Sequence, residues 1–260
     1  MHKTVTQDGS PENLKGNRHG GATPLAEVRA GIVACERCTR LREHCARVAR
    51  EKRRSYRDEV YWGRPVSGFG DPTARLFILG LAPAAHGANR TGRLFTGDGI
   101  GGSGDFLMTA LHRHGFASLP TSRRADDGLV LTDAYISAAV RCAPPDNMPT
   151  NAEIRNCLPH LAAEVAALPA IRLVVALGAV GYGAYLRLLR SQGTPIRPRP
   201  VFGHASINRL PNGVTLIGCY HPSRQNTNTG RLTPEMMADV FALARRTLAR
   251  EASASAISPQ

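Results

Sequence analysis

Two rhythms of apolar residues alternate along this chain. Four short, continuous apolar runs, rich in β-branched residues and bordered by Gly or Pro, read as buried strands. They are Arg75–Gly80, Leu129–Tyr135 with an extension to Val140, Ile171–Gly178 and Val214–Tyr220. Between them the apolar positions recur at helical spacing. Ser103 is placed to cap a helix running through His114, with Phe106, Leu107, Ala110 and Leu111 on one face and Gly115 ending it. Thr150-Asn-Ala-Glu153 has the form of a capping box and opens a stripe of Ile154, Cys157, Leu158, Leu161 and Val165. Pro159 is expected to kink or split that helix, because it lacks an N–H and its ring crowds the preceding turn. Thr233-Pro234-Glu235 starts a last helix whose apolar face is Met237, Val240, Phe241, Ala244 and Leu248.

Strands alternating with helices predict an α/β fold with a mainly parallel sheet covered on both faces. In such sheets ligands bind beyond the carboxyl ends of the strands, which singles out the loops after Gly80, Val140 and Tyr220. One domain is expected over 25–250. It is flanked by a disordered basic arm at 1–24 and a disordered tail at 251–260. The segment Met1–Thr23 is polar and has no apolar core, which argues against a secretory signal. The longest apolar stretch, Leu173–Leu186, is interrupted by Gly178, Gly181 and Gly183 and falls short of the ~18 residues a membrane span requires. A cytoplasmic monomer away from the membrane is the resulting expectation.

Charge narrows the partners. A formal net charge of +13 in 260 residues attracts polyanions, and nucleic acid leads that class. Lysine contributes only Lys3, Lys15 and Lys52, so the positive charge is overwhelmingly arginine. Arginine grips phosphate bidentately, but a GC-rich genome produces the same bias.

Three groups of residues carry candidate chemistry. Cys35-x-x-Cys38 is followed by Cys142, in a Pro-rich loop, and by Cys157. Only one half has knuckle spacing, and the spacing leaves zinc and an iron–sulfur cluster equally open. Cys45 is a substitute candidate, and Cys219, at a strand end, reads as a core thiol. Gly97-Asp-Gly99-Ile-Gly-Gly102 matches GxGxxG formally, but it does not leave a strand directly and reads as a flexible loop entering a helix. His221-Pro-Ser223 leaves the last strand, where an imidazole can donate to a developing anion. No nucleophile elbow accompanies Ser223, which argues against a serine hydrolase.

GLAPAAHGANRTGRLFTGD (80–98) and HPSRQNTNTGRLT (221–233), with the Cys frame, closely resemble the uracil-DNA glycosylase superfamily. The resemblance is to its iron–sulfur branch, family 5 or type B, and it spans about Ala34 to Ala249. It implies a three-layer α/β/α sandwich around a four-stranded parallel sheet. It also implies a [4Fe-4S] cluster on Cys35, Cys38, Cys142 and Cys157 that braces DNA-binding loops. The base-binding loop would be Gly80, Leu81, Ala82, Pro83, Ala84, Ala85, His86 and Gly87, with Phe95 stacking on the extruded base. His221, Pro222 and Ser223 match the second motif, which enters the minor groove.

Several relatives carry an acid or amide early in the first motif, where this chain has Leu81, Ala82, Ala84 and Ala85. By resemblance the acid is Asp98, and Asn147 is a second polar group that assists; both are also common turn residues. His86 is expected as a base contact. The implied activity is hydrolysis of the N-glycosidic bond of uracil in DNA. A pocket without the discriminating amide should also admit hypoxanthine and bulkier lesions. No lysine follows Lys52, so an abasic site rather than a Schiff-base product is expected. The competing reading from another class is a non-catalytic module that holds a metal on four cysteines and only binds nucleic acid.

Overall fold

The computed structural model describes the backbone of residues 24–257 and the side chains of residues 24–251. The N-terminal arm expected at 1–24 therefore lies almost wholly outside the described residues. In chain order the elements are α1 (Pro24–Val33), α2 (Thr39–Glu51), β1 (Phe69–Gly70), β2 (Leu76–Gly80), α3 (Ala88–Thr91) and α4 (Ser103–Arg113). There follow β3 (Ala134–Ala138), α5 (Asn151–Ala166), β4 (Leu173–Leu177) and α6 (Ala179–Ser191). The chain ends with β5 (Ile207–Arg209), β6 (Thr215–Cys219), α7 (Arg224–Asn228) and α8 (Pro234–Ile257).

The sheet has the order β1-β3-β2-β4-β6-β5. Its centre is the expected four-stranded parallel unit: β3 pairs β2, β2 pairs β4 and β4 pairs β6, all parallel. Two short antiparallel strands, β1 on β3 and β5 on β6, extend it to six. Their two or three residues are too few, and too polar, to show the apolar run that marks a buried strand. Every residue of the four central strands is buried, which explains why they read as continuous apolar runs rather than alternating ones.

Alternate strand residues serve opposite layers. Leu76, Ile78, Ile136, Val175 and Ile217 pack against α4 and α8. Phe77, Leu79, Tyr135, Val174 and Leu216 pack against α1, α5 and α6. The result is the three-layer sandwich. A third, smaller core lies off the end of β3 and contains Leu41, Cys45, Val140, Cys142, Ala143, Ile154 and Cys157.

Three boundaries differ from the sequence reading. The strand read from Leu129 begins only at Ala134, and residues before it approach through a single bridge, Ala117 with Leu131. Helix α5 is neither ended nor split at Pro159. Pro159 and Arg155, whose carbonyl would have received its N–H, face solvent, so water can take that carbonyl while Ile154, Cys157, Leu161 and Glu164 hold the buried side. Helix α8 continues to Ile257, through most of the segment expected as a disordered tail. The Thr150 capping box is present in both directions, and all five residues of the α8 stripe are buried.

One polar network is sealed inside the fold. Arg141, at the end of β3, pairs with Glu164 of α5 at 2.6 Å, both essentially inaccessible to solvent. Ser137 Oγ, Tyr135 Oη and the Gly68 N–H donate to the same carboxylate. A buried charge persists only with such partners. This one locks the segment leading into Cys142 to the helix that carries Cys157. Among the described residues no helix is long and apolar enough to cross a membrane.

Candidate active site

The loops after β2, β3 and β6 converge at the carboxyl ends of the parallel strands, where the strand order reverses about β2. Gly80 closes β2 because Phe95 takes the space a side chain would need: a Cβ there would lie 2.9 Å from the ring. Phe95 itself adopts φ 50°, a left-handed conformation uncommon outside glycine. Its ring lies 6.1 Å from that of His221, tilted by 33°. The two motif loops thus meet through these rings.

The turn from Pro83 to Gly87 is small-sided, with Pro83 buried and Ala84 exposed. Ala84 O accepts from Gly87 N and Asn89 N, at 3.2 and 3.0 Å. Leu81 and Gly80 are anchored to the β3 exit, where their carbonyls accept from Val140 N and Ala139 N. Gly87 leaves room for Asp98, whose Cβ would be 3.3 Å from a side chain placed there.

Asp98 is half-buried, and both carboxylate oxygens accept from Gly104 N at 3.2 Å, in the first turn of α4. This is in part the helix-terminal role common for aspartate, and a helix N-terminus is a favourable place for negative charge. One N–H leaves lone pairs of the carboxylate unused. Its neighbour Asp105 is committed elsewhere, to Arg123 at 2.9 Å and Gly101 N at 3.1 Å.

His221 follows β6, and burial pushes its imidazole pKa down to about 4, so it is neutral near pH 7. Its carbonyl accepts from Asn226 Nδ2 at 2.8 Å, and Pro222 behind it is buried. Ser223 caps α7 by accepting from Asn226 N, so its hydroxyl has a structural task.

Asn147 is exposed and adopts φ 58°, with Asp146 beside it at φ 54°. It shares a cavity of about 350 Å³ with Ala85, His86 and the C-terminal half of α2. The turn 84–87 therefore touches Asp98 through Gly87 and faces Asn147 through Ala85 and His86. His86 Nδ1 is hydrogen-bonded to Tyr61 Oη at 3.0 Å.

The four candidate cysteine ligands arrive from three elements. Cys35 and Cys38 lie just before α2, with Cys38 at its N-cap; Cys142 follows β3, and Cys157 lies on the buried side of α5. Cys38, Cys142 and Cys157 pack in the same small core, and Cys157 lies within electrostatic reach of both Cys35 and Cys38. Cys45 packs in the same core, and its Sγ donates to Ala143 O at 3.6 Å. Cys219 is fully buried on the other side of the sheet end, and burial pushes its thiol up to about 12. Among the described residues no three Cys, His, Asp or Glu side chains close around one point as a single ion requires. Cys35 lies outside that small core, and a donor set of four soft thiols fits an iron–sulfur cluster or zinc by its chemistry.

Sequence reasoning missed several residues that hold this site. Arg224 Nη2 donates to Asp98 O at 3.2 Å, joining the two motif loops. Arg40, two residues after Cys38, forks onto Glu153 with both contacts at 2.8 Å and also donates to Met148 O. The Thr150 box predicted Glu153's bond to Thr150, but nothing local pointed to Arg40. Some arginines are structural: Arg90, Arg93 and Arg141 are buried. Arg90 binds Glu59 and the carbonyls of His86 and Gly97, which fixes the loop between Phe95 and Asp98.

Comparison with known proteins bears on this arrangement. The profile described as "Uracil DNA glycosylase superfamily" matches residues 67–245. The type-5 uracil-DNA glycosylase of Mycobacterium tuberculosis is 51% identical over 228 residues, covering 87% of this chain and 83% of that protein. The type-5 enzyme of Thermus thermophilus is 48% identical over 217 residues, covering 83% of this chain and 94% of that protein. A type-4 uracil-DNA glycosylase of Pyrobaculum aerophilum is 32% identical over 130 residues, covering 50% and 57%.

Proposed function

This chain belongs to the uracil DNA glycosylase superfamily, with type-5 relatives matching most of its length, and is a DNA-repair glycosylase. We propose that it flips uracil and other deaminated bases out of DNA and hydrolyses their N-glycosidic bond. The observation that carries the chemistry is the meeting of Phe95, Asp98 and His221 around the small-sided turn after β2.

A base inside the duplex is out of reach until its nucleotide is extruded, at a cost of a few kcal/mol. Phe95 offers the extruded base a face to stack on. Breaking the C1′–N bond builds positive charge on the sugar and negative charge on the departing base. His221, neutral because desolvation disfavours its charged form, supplies an N–H to the base oxygen without itself needing a proton from solvent. Asp98 faces the sugar, where its free lone pairs orient the water that adds to C1′ and its charge offsets the cationic transition state. Asn147 assists in holding that water. The water gives its hydroxyl to C1′ and a proton to the base, leaving an abasic site. Ala84 and Ala85 put no amide against the base edge, which favours a pocket open to hypoxanthine as well as uracil.

Cys35, Cys38, Cys142 and Cys157 would hold a [4Fe-4S] cluster. When bound, the cluster contributes a structural brace joining α2, the β3 exit and α5. Asn147 stands five residues beyond Cys142, so this brace would anchor the turn that carries it.

The test is strand nicking after alkali on oligonucleotides with a single uracil or hypoxanthine. Asp98→Ala and His221→Ala are expected to lower excision by roughly 10²–10⁴-fold, the range for acid–base and anion-stabilising groups. Wild-type binding to these oligonucleotides without any excision would instead support the non-catalytic reading, a nucleic-acid-binding module with a metal on its four cysteines.

A further inference from the structure

The cavity beside Asn147 has a lining that, apart from Asn147 and Ala85, the glycosylase chemistry does not use. Two imidazoles face it, His44 from α2 and His86 from the first motif. Each has its Nδ1 engaged: His44 by Arg47 Nη2 at 3.0 Å, and His86 by Tyr61 Oη at 3.0 Å. A guanidinium can only donate, so His44 Nδ1 is an acceptor. Tyr61 is buried, and its oxygen already accepts from Arg53 N. That oxygen has a second lone pair, but its proton has no other acceptor among the described residues, so donation to His86 Nδ1 is the arrangement that leaves no buried hydrogen unpaired. Both neutral rings then carry hydrogen on Nε2, and neither Nε2 has a partner among the described residues. Desolvation, and after it the neighbouring arginines, lower both pKa values, which favours the neutral rings.

Arg47 and Lys52 complete the donors around the cavity, with one Lys52 hydrogen bond already made to Arg57 O at 3.0 Å. Glu51 is taken up by Arg47 at 3.4 Å, and Asp146 sits exposed at the rim. A base edge alternates donors and acceptors, whereas a phosphate presents acceptors alone. The imidazole N–H groups suit the second, and Arg47 and Lys52 offset the charge of Glu51 and Asp146.

We propose that this cavity is a phosphate subsite, in which His44 Nε2–H and His86 Nε2–H take the non-bridging oxygens of one phosphodiester of the substrate strand. The inference rests on the DNA-glycosylase reading and moves His86 from the base to the backbone. It gives the first motif a handle on the strand beside the extruded nucleotide.

The test uses the full chain and duplexes carrying 2′-fluoro-deoxyuridine, with one phosphate at a time replaced by a neutral methylphosphonate. Fluorescence anisotropy reads the affinity. One replacement near the uracil is expected to weaken wild-type binding about tenfold, as for loss of a charge-assisted contact. The same replacement should change the affinity of a His44→Leu/His86→Leu variant less than about twofold, since the contacts are already gone. His86→Gln, which puts an amide N–H near the former Nε2, should keep the sensitivity. Arg47→Gln should reduce the slope of log affinity against log salt by about 1, and His86→Leu should leave it unchanged.

If no methylphosphonate position loses its effect in the double variant, the subsite is wrong. It is also wrong if His86→Leu instead changes the ranking of bases while phosphate sensitivity stays intact. Histidine 15N NMR of the free protein gives an independent check: Nδ1–H tautomers would overturn the proposal even where DNA binding and uracil excision are normal. Failure of the glycosylase reading shows separately, as wild-type protein that excises no uracil.

Discussion

Arg224 Nη2 lies 3.2 Å from the carbonyl oxygen of Asp98 and donates to it, so the loop after β6 holds the loop that carries the acid. The two loops are 126 residues apart in sequence. They also touch through Phe95 and His221. Asp98 is thus set by contacts from both sides, Gly104 N at its carboxylate and Arg224 at its backbone.

Arg224→Ala should therefore slow excision without abolishing DNA binding. A partly exposed charge-assisted hydrogen bond contributes about 1 kcal/mol, or roughly a fivefold loss in kcat. Arg224→Lys should recover part of it. Single-turnover kinetics on uracil-containing DNA checks this, and an unchanged rate would mean that Asp98 is held without Arg224.

His221 ties stability to pH. Burial lowers its folded-state pKa from 6.5 to about 4, so on acidification the unfolded chain takes up the proton first. The protein has the full contribution above pH 6.5 and loses it as pH falls from there toward 4. Its slope approaches about 1.4 kcal/mol per pH unit. Urea midpoints at several pH values, compared with His221→Asn, should show a shallower acid decline in the variant. For the same reason any acid limb in the excision rate above about pH 5 should come from a group other than His221.

The sealed pair Arg141–Glu164 should be unforgiving of one-sided change. Glu164→Ala leaves a guanidinium buried with only Ser137 Oγ beside it, and the expected cost is about 3–5 kcal/mol. Thermal unfolding measures it. Loss of the visible absorption of the proposed cluster should accompany the loss of stability, because the pair joins the segments carrying Cys142 and Cys157.

Cysteine replacements separate ligands from core thiols. Cys157→Ser and Cys142→Ser should remove the broad visible absorption near ~400 nm of an iron–sulfur cluster, while Cys219→Ser keeps it. Cys45→Ser should also keep it, since Cys45 donates to Ala143 O and is not one of the four proposed ligands. Colourless wild-type protein that contains zinc would overturn the cluster assignment.

Much of this was legible in the chain itself. A strand buried on both faces must be apolar throughout, so the four central strands declared themselves. A capping box is a local hydrogen-bond pair, so Thr150 and Glu153 marked the start of α5. The motif loops around Asp98 and His221 were recognisable because their residues are contiguous. The edge strands β1 and β5 were not, because strands of two and three residues carry no periodicity. Pro159 misled because a local steric rule was outweighed by the buried face of α5.

What the tertiary structure decided is which distant groups complete one another. Arg224 on Asp98, Tyr61 on His86, Arg40 on Glu153 and Arg141 on Glu164 are all contacts between separate elements. Nothing within a few residues of either partner specifies them. Sequence set the chemistry available at each loop, because backbone preference and burial are local or periodic properties. Packing alone set tautomers, buried charges and the aim of each side chain, because those depend on atoms brought close only when the sheet assembles.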